Sequence, residues 1–147
     1  MTIRPATSSD LNAILDLVVD QLDYPDENSL TVNSAMPILV EIQRDPHHHL
    51  FVAEENDTIM GTFMLIIVQQ LAHGGSRSAI IEDVAVQSAA QGRGVGTRMM
   101  SYAVDFAREQ GCSKIVLSSG KTRDRAHEFY EKNGYRQHGM SFYLDVQ

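Results

Sequence analysis

Hydrophobic positions along this chain keep two rhythms, one helical and one extended, and the changes between them mark out its elements. Thr2 to Pro5 is predicted to form a short first strand. Leu11, Ile14, Leu15, Val18 and Leu22 then fall three or four apart, the spacing of one buried helical stripe, and Thr7 with Asp10 ahead of them has the pattern of a capping box. A less regular helical stretch is predicted from about Thr31 to Arg44, after the turn-like Tyr24-Pro25-Asp26. Leu50 to Glu54 and Ile59 to Val68 are β-rich runs, and the polar Glu55-Asn56-Asp57 between them suits a hairpin. Beyond Ala72-His73-Gly74-Gly75-Ser76, a third run covers Ala79 to Val86. Val95, Met99, Tyr102, Ala103 and Phe106 form the stripe of a strong helix that stops before Gly111. Lys114 to Ser118 reads as a short buried strand and Arg123 to Asn133 as a helix stopped by Gly134. Tyr135 and Ser141 to Asp145 read as closing strands. No repeat, low-complexity tract or linker interrupts this order, so residues 1–147 are expected to form one α/β domain with helices on both faces of a mixed sheet.

Composition narrows the function classes. A chain of 147 residues that is 43% hydrophobic and 21% charged suits one globular unit. The formal net charge of −7 argues against sequence-independent nucleic-acid binding, which needs clustered Lys and Arg, and mildly favours a cationic partner. The single cysteine, Cys112, cannot close an internal disulfide, and Met1-Thr2-Ile3-Arg4-Pro5 lacks the apolar run of a secretory signal. A reducing, cytoplasmic location is expected. The longest apolar stretch, Ile59 to Val68, falls well short of the roughly 20 residues of a membrane-spanning helix.

The chemistry concentrates between Val86 and Thr97, where a β-rich run passes through Gly92, Gly94 and Gly96 straight into a helix start. Glycines let backbone approach a ligand and take positive φ, while the first turn's N–H groups and the helix dipole attract a phosphate. Arg93 and Arg98 add positive charge nearby. The spacing misses the G-x-G-x-x-G of dinucleotide folds, and no acid near Leu117 could bind a ribose, which disfavours a nicotinamide cofactor. No Gly-Lys-Ser/Thr follows, which disfavours ATP. A plain strand-to-helix turn would also use glycine, but three alternating glycines beside two arginines exceed that need.

Gln91-Gly92-Arg93-Gly94-Val95-Gly96 matches the Q/R-x-x-G-x-G/A signature of the GNAT superfamily of N-acetyltransferases. Ile81 to Val86 resembles the fourth strand of that family, and Ala126-His127-Glu128-Phe129-Tyr130-Glu131-Lys132-Asn133-Gly134-Tyr135 resembles its second signature, A-x-x-F-Y-x-x-x-G-F/Y. The opening Ile3-Arg4-Pro5-Ala6-Thr7 with Asp10 is a frequent start for such chains, so the resemblance covers nearly the whole sequence. It implies a mixed, mostly antiparallel sheet of six to seven strands flanked by about four helices, splayed into a V between strands 4 and 5. It also implies acetyl-CoA as donor and a small primary amine as acceptor, joined in a ternary complex for direct transfer.

By the same resemblance, Val84, Ala85 and Val86 lie at the splay. Their backbone would hold the pantetheine arm, and the Val86 N–H would serve as oxyanion donor. Gln91, Gly92, Arg93, Gly94, Val95, Gly96 and Thr97 would hold the diphosphate. Tyr130 occupies the general-acid position, although Ala126, Phe129 and Tyr130 also share the spacing of a simple packing face. Strand alternation puts Glu82 with Ile80, Val84 and Val86 on one face and Asp83 on the other. Glu82 resembles the acid that polyamine-type members use as base; a pairing with a nearby Arg is the other reading. The family often has Asn seven residues before the tyrosine, where this chain has Arg123. That segment instead resembles a bacterial subgroup that includes the aminoalkylphosphonate N-acetyltransferases, and Arg123 would serve cofactor phosphates or an anionic acceptor group.

His47-His48-His49 suggests metal ligands, yet three consecutive histidines cannot all face one ion, and no metal site is assigned to them. Polyamines, aminoalkylphosphonates, amino sugars, aminoglycosides and protein N-termini all stay open as acceptors. A homodimer, common in the family, stays open as well. A catalytically silent CoA-binding regulator or sensor is the rival reading.

Overall fold

The computed structural model describes residues 1–22 and 30–146, so the predicted turn at Tyr24-Pro25-Asp26 lies outside the described residues. The chain divides into two compact units, Met1–Val116 and Leu117–Gln147.

The first unit is built on a sheet. Strand β1 (Thr2–Pro5) is followed by a short turn of helix, Ser8–Asp10, and by helix α1 (Leu11–Gln21). The Thr7–Asp10 capping box is present, with the Thr7 N–H donating to Asp10 Oδ2 at 2.7 Å. Helix α2 (Val32–Arg44) starts at the reciprocal Thr31–Ser34 cap. Strands β2 (His48–Glu55) and β3 (Thr58–Gln69) form the predicted hairpin. Its tip residues Asn56 and Asp57 have φ of 50° and 60°, the left-handed pair that a tight hairpin matching strand twist requires. A helical turn at Ala72–Gly75 leads to β4 (Arg77–Val86), and helix α3 (Val95–Glu109) returns the chain to β5 (Cys112–Leu117).

Among the described residues the sheet has five strands in the order β1-β2-β3-β4-β5, antiparallel through β4, with β5 parallel to β4. Six to seven strands were expected, and the difference lies at the end of the chain. Tyr135 and Ser141 to Asp145 form no strand, and Met140, Phe142, Tyr143, Leu144 and Val146 are 78–92% exposed. Apolar residues in sequence do not make a strand without a ladder to join. The expected burial of Lys114 to Ser118 is not met: among the described residues β5 pairs with β4 alone, and Lys114, Val116 and Ser118 are exposed.

Alternation along β2 divides the core into two layers. On one face Val52 packs with Ala6 and Ile14, and Leu50 joins Leu11, Ala35 and Leu39, so α1 and α2 cover this side. On the other face Phe51 meets Tyr102 and Phe106 of α3 edge to face, at centroid distances of 5.2 and 5.1 Å. Phe51 also stacks on Phe63, and both rings are essentially buried. Truncating either ring to Ala would cost about 3–5 kcal/mol.

The second unit carries helix α4 (Asp124–Lys132), which ends at Gly134 with φ of 86°. Gly134 donates its N–H to the Glu131 carbonyl, closing the final turn.

Candidate active site

The site is built where β4 becomes irregular. Across the β3–β4 ladder, Thr62 faces Ala85 and Met64 faces Glu82, so Phe63 alone opposes both Asp83 and Val84. This is a β-bulge, and Asp83 carries it with φ of 51°, a left-handed conformation that Asp tolerates better than most side chains. The bulge interrupts the strict alternation expected through Val86, so facing by parity holds only up to the insertion. Burial raises the Asp83 carboxyl above the usual range. Glu82 is raised too, by burial first and then by the Asp83 charge.

Past the bulge the ladder directs Val86 outward. The Gln87 N–H donates to the Met60 carbonyl at 2.9 Å, which makes Met60–Gln87 a hydrogen-bonded pair. The adjacent pair, Gly61–Val86, is therefore the non-bonded kind, and the Val86 N–H and C=O point away from β3. The Val86 carbonyl accepts from Gln91 Nε2 at 3.2 Å. Gly61 makes this packing possible, because α3 lies hard against it.

The glycine loop follows. Gly92 and Gly94 have φ of 77° and 82°, whereas Gly96 lies within helix α3. Gly94 is the N-cap residue of α3, and no side chain caps the helix there. The first intrahelical bond runs from the Arg98 N–H to the Gly94 carbonyl, so the amides of Val95, Gly96 and Thr97 project from the helix start. A Cβ on Gly92 or Gly94 would meet no atom within 4 Å, so the backbone here lies open to an incoming group. The two nearby arginines are engaged elsewhere. Arg93 Nη2 pairs with Glu55 Oε2 at 2.9 Å, and Arg98 Nη2 donates to the Met1 carbonyl at 2.9 Å. The attraction for an anion thus rests chiefly on backbone amides and the helix dipole.

A surface network at this loop has no sequence signature. Gln91 Nε2 donates to Gln21 Oε1 at 2.7 Å, and Gln21 Nε2 donates to Ser88 Oγ at 2.9 Å. These partners are about 70 residues apart, so no local pattern could reveal them.

In the second unit, Tyr130 packs edge to face against Phe129 and Tyr135, at centroid distances of 5.2 and 5.8 Å. Burial, with Tyr130 beside it, pushes the Tyr135 phenol up to about 12. Arg123 is the N-cap residue of α4, and His127 Nε2 lies 2.9 Å from the Gly120 carbonyl oxygen.

The other candidate groups lie apart from the glycine loop. His47 is exposed, while His48 and His49 are partly buried at the start of β2. His49 packs edge to face on Phe106 at 4.8 Å, and burial lowers its pKa. Burial raises the Cys112 thiol, which disfavours a reactive thiolate. Among the described residues, no helix is long and apolar enough to cross a membrane.

The chain as a whole is similar to known proteins. Over 97 residues the chain is 32% identical to the probable glucosamine 6-phosphate N-acetyltransferase 2 of Oryza sativa subsp. japonica, covering 63% of this chain and 57% of that protein. Over 140 residues it is 26% identical to the aminoalkylphosphonate N-acetyltransferase of Salmonella typhimurium, covering 95% of this chain and 88% of the relative. Its fold superposes with a TM-score of 0.89 and 30% identity on a protein of Agrobacterium tumefaciens str. C58 that is provisionally classed as an acetyltransferase, covering 99% of both chains. The model of the acetyltransferase (GNAT) family matches residues 12–135, which include the bulge, the glycine loop and the Phe129–Tyr130 pair, and the chain belongs to that family.

Proposed function

We propose that this chain is an acetyl-CoA-dependent N-acetyltransferase acting on a small primary amine, with residues 1–147 serving as one catalytic domain. The supporting observation is the sequence of a bulge at Asp83–Val84, a Val86 amide turned away from β3, and an α3 helix start capped only by Gly94. A pantetheine thioester bound there supplies an activated acetyl group. Val95, Gly96 and Thr97 amides hold the diphosphate, with Gln91, Gly92 and Arg93 shaping the loop around it. Val84 and Ala85 line the pantetheine path beside the bulge. The Val86 N–H donates to the carbonyl oxygen as it gains charge. Arg123 meets a phosphate of the donor or an anionic group of the acceptor.

Transfer is direct, within a ternary complex. Glu82 takes a proton from the amine, directly or through water, and burial, with the Asp83 charge, raises its pKa, the direction that makes it a stronger base. The amine nitrogen bonds to the acetyl carbon, the carbon–sulfur bond breaks, and Tyr130 donates the proton that the departing thiolate takes up. Cys112 takes no part as an acyl carrier. We place the reaction in the cytoplasm.

The two named relatives act on amines that also carry a phosphonate or phosphate, so such aminophosphorus compounds head the list of acceptors. Release of free thiol from acetyl-CoA against 2-aminoethylphosphonate, glucosamine 6-phosphate and spermidine tests the reading. Turnover with one of these is expected. Binding of CoA without turnover on a broad amine panel would favour a silent sensor. No heat of mixing with acetyl-CoA at millimolar levels would overturn the proposal.

A further inference from the structure

We infer that Gln21, at the end of α1, is a positioning residue for the donor-binding loop; this rests on the functional reading above. The side-chain amide of Gln21 spans the turn that joins β4 to the glycine loop. Its Oε1 accepts from Gln91 Nε2 at 2.7 Å, and its Nε2 donates to Ser88 Oγ at 2.9 Å and to Asp20 Oδ2. Ser88 Oγ in turn lies 3.4 Å from Asp20 Oδ2, which gives it an acceptor for its own proton.

The geometry gives this bridge leverage. Gln91 Nε2 has two hydrogens, and both are used, one on Gln21 and one on the Val86 carbonyl at 3.2 Å. The Val86 carbonyl belongs to the peptide unit that leaves β4 immediately before the loop. Gln91 also starts the turn into Gly92, whose φ of 77° must be held for the following amides to face one way. Gln21 fixes the rotamer of Gln91, and Gln91 fixes the strand exit and the loop entrance together. The backbone bonds within the turn, from Ala90, Gln91 and Arg93 N–H to the Gln87, Ser88 and Ala90 carbonyls, are local to it. Gln87 and Arg93 tie its two ends to β3 and β2, and Gln21 ties its middle to α1.

Gln21 is only partly buried, so removing its amide leaves the core intact. Its loss acts on loop order, and therefore on donor affinity more than on the chemical step.

Calorimetric titration of CoA, together with steady-state kinetics, tests this in wild type, Gln21→Ala, Gln21→Glu, Gln91→Ala and the Gln21→Ala/Gln91→Ala pair. Gln21→Ala is expected to weaken CoA binding and raise the acetyl-CoA KM by roughly threefold to tenfold, the range for one or two lost hydrogen bonds, with kcat and melting temperature nearly unchanged. Gln21→Glu keeps an acceptor for Gln91 but loses the donor to Ser88 and sets a second carboxylate against Asp20, so it is expected to recover little of the loss. Adding Gln91→Ala to Gln21→Ala is expected to cost less than the two single effects combined. Wild-type affinity in Gln21→Ala, or strictly additive effects in the pair, overturns the inference while leaving the enzymatic reading in place. Failure of the wild type to bind CoA overturns both.

Discussion

Gly61 and Met99 meet so closely that a Cβ on the glycine would stand 2.7 Å from the methionine sulfur and 2.9 Å from the Ala85 carbonyl oxygen. Gly61 faces Val86 across the ladder, so this contact sets how near α3 approaches the strand that exits into the glycine loop. Gly61→Ala is expected to destabilise the protein by about 1–3 kcal/mol, the usual cost of overpacking. Urea unfolding measures it. A variant as stable as the wild type would show that Met99 yields freely.

Gly94 tests the backbone of the same region without a steric clash. A Cβ there touches nothing, but φ of 82° is unfavourable for any L side chain. Gly94→Ala is expected to cost about 1–2 kcal/mol of stability, or to shift the helix start and raise the acetyl-CoA KM. Neither change, by thermal melting and kinetics, would remove the left-handed cap from the account.

Glu82 governs the expected pH dependence. As the proposed base, this carboxylate must be ionised to accept a proton, and burial together with Asp83 raises its pKa. Activity should therefore fall as pH drops through that raised value, and rise to a plateau above it. Glu82→Gln is expected to lower kcat/KM by about 10²-fold or more and to abolish this acidic limb. A limb that persists in the variant assigns the base elsewhere.

On the proposed role of Tyr130 as proton donor, Tyr130→Phe should lower kcat by about 10²-fold with CoA affinity preserved. The Phe129 and Tyr135 contacts involve the ring and survive the change. Titration calorimetry alongside turnover separates the two quantities. Unchanged kcat would leave Tyr130 a packing residue.

Acid stability should depend on Asp10, which is buried and held at about 2 by its bonds to Arg4, with help from Thr7. A depressed carboxylate contributes stability above its unfolded pKa, near 4, and loses it as pH falls toward the folded value. The window is therefore about pH 4 to 2, and the contribution is on the order of 2 kcal/mol. Chemical unfolding across this range should show a steep decline that Asp10→Asn removes.

Local order was legible from the chain alone. The Thr7–Asp10 cap, the Thr31 helix start, the Asn56–Asp57 hairpin and the Val95 helix each depend on residues within a few positions of one another, and each formed as their spacing implied. The glycine loop was readable for the same reason, since positive φ and a free helix start are properties of a short segment.

Tertiary structure decided what depends on distant neighbours. A strand needs a ladder, so the apolar residues from Phe142 to Val146 did not become one by pattern alone, and β5 stayed exposed with a single neighbour. The bulge at Asp83 shows only in its register against Phe63, and the hold of Gln21 on Gln91 crosses 70 residues. Sequence spacing fixes which turns and helices can form, because their bonds close locally. Only the folded chain brings remote strands and side chains within reach, and there the direction of the Val86 amide and the setting of the glycine loop were determined.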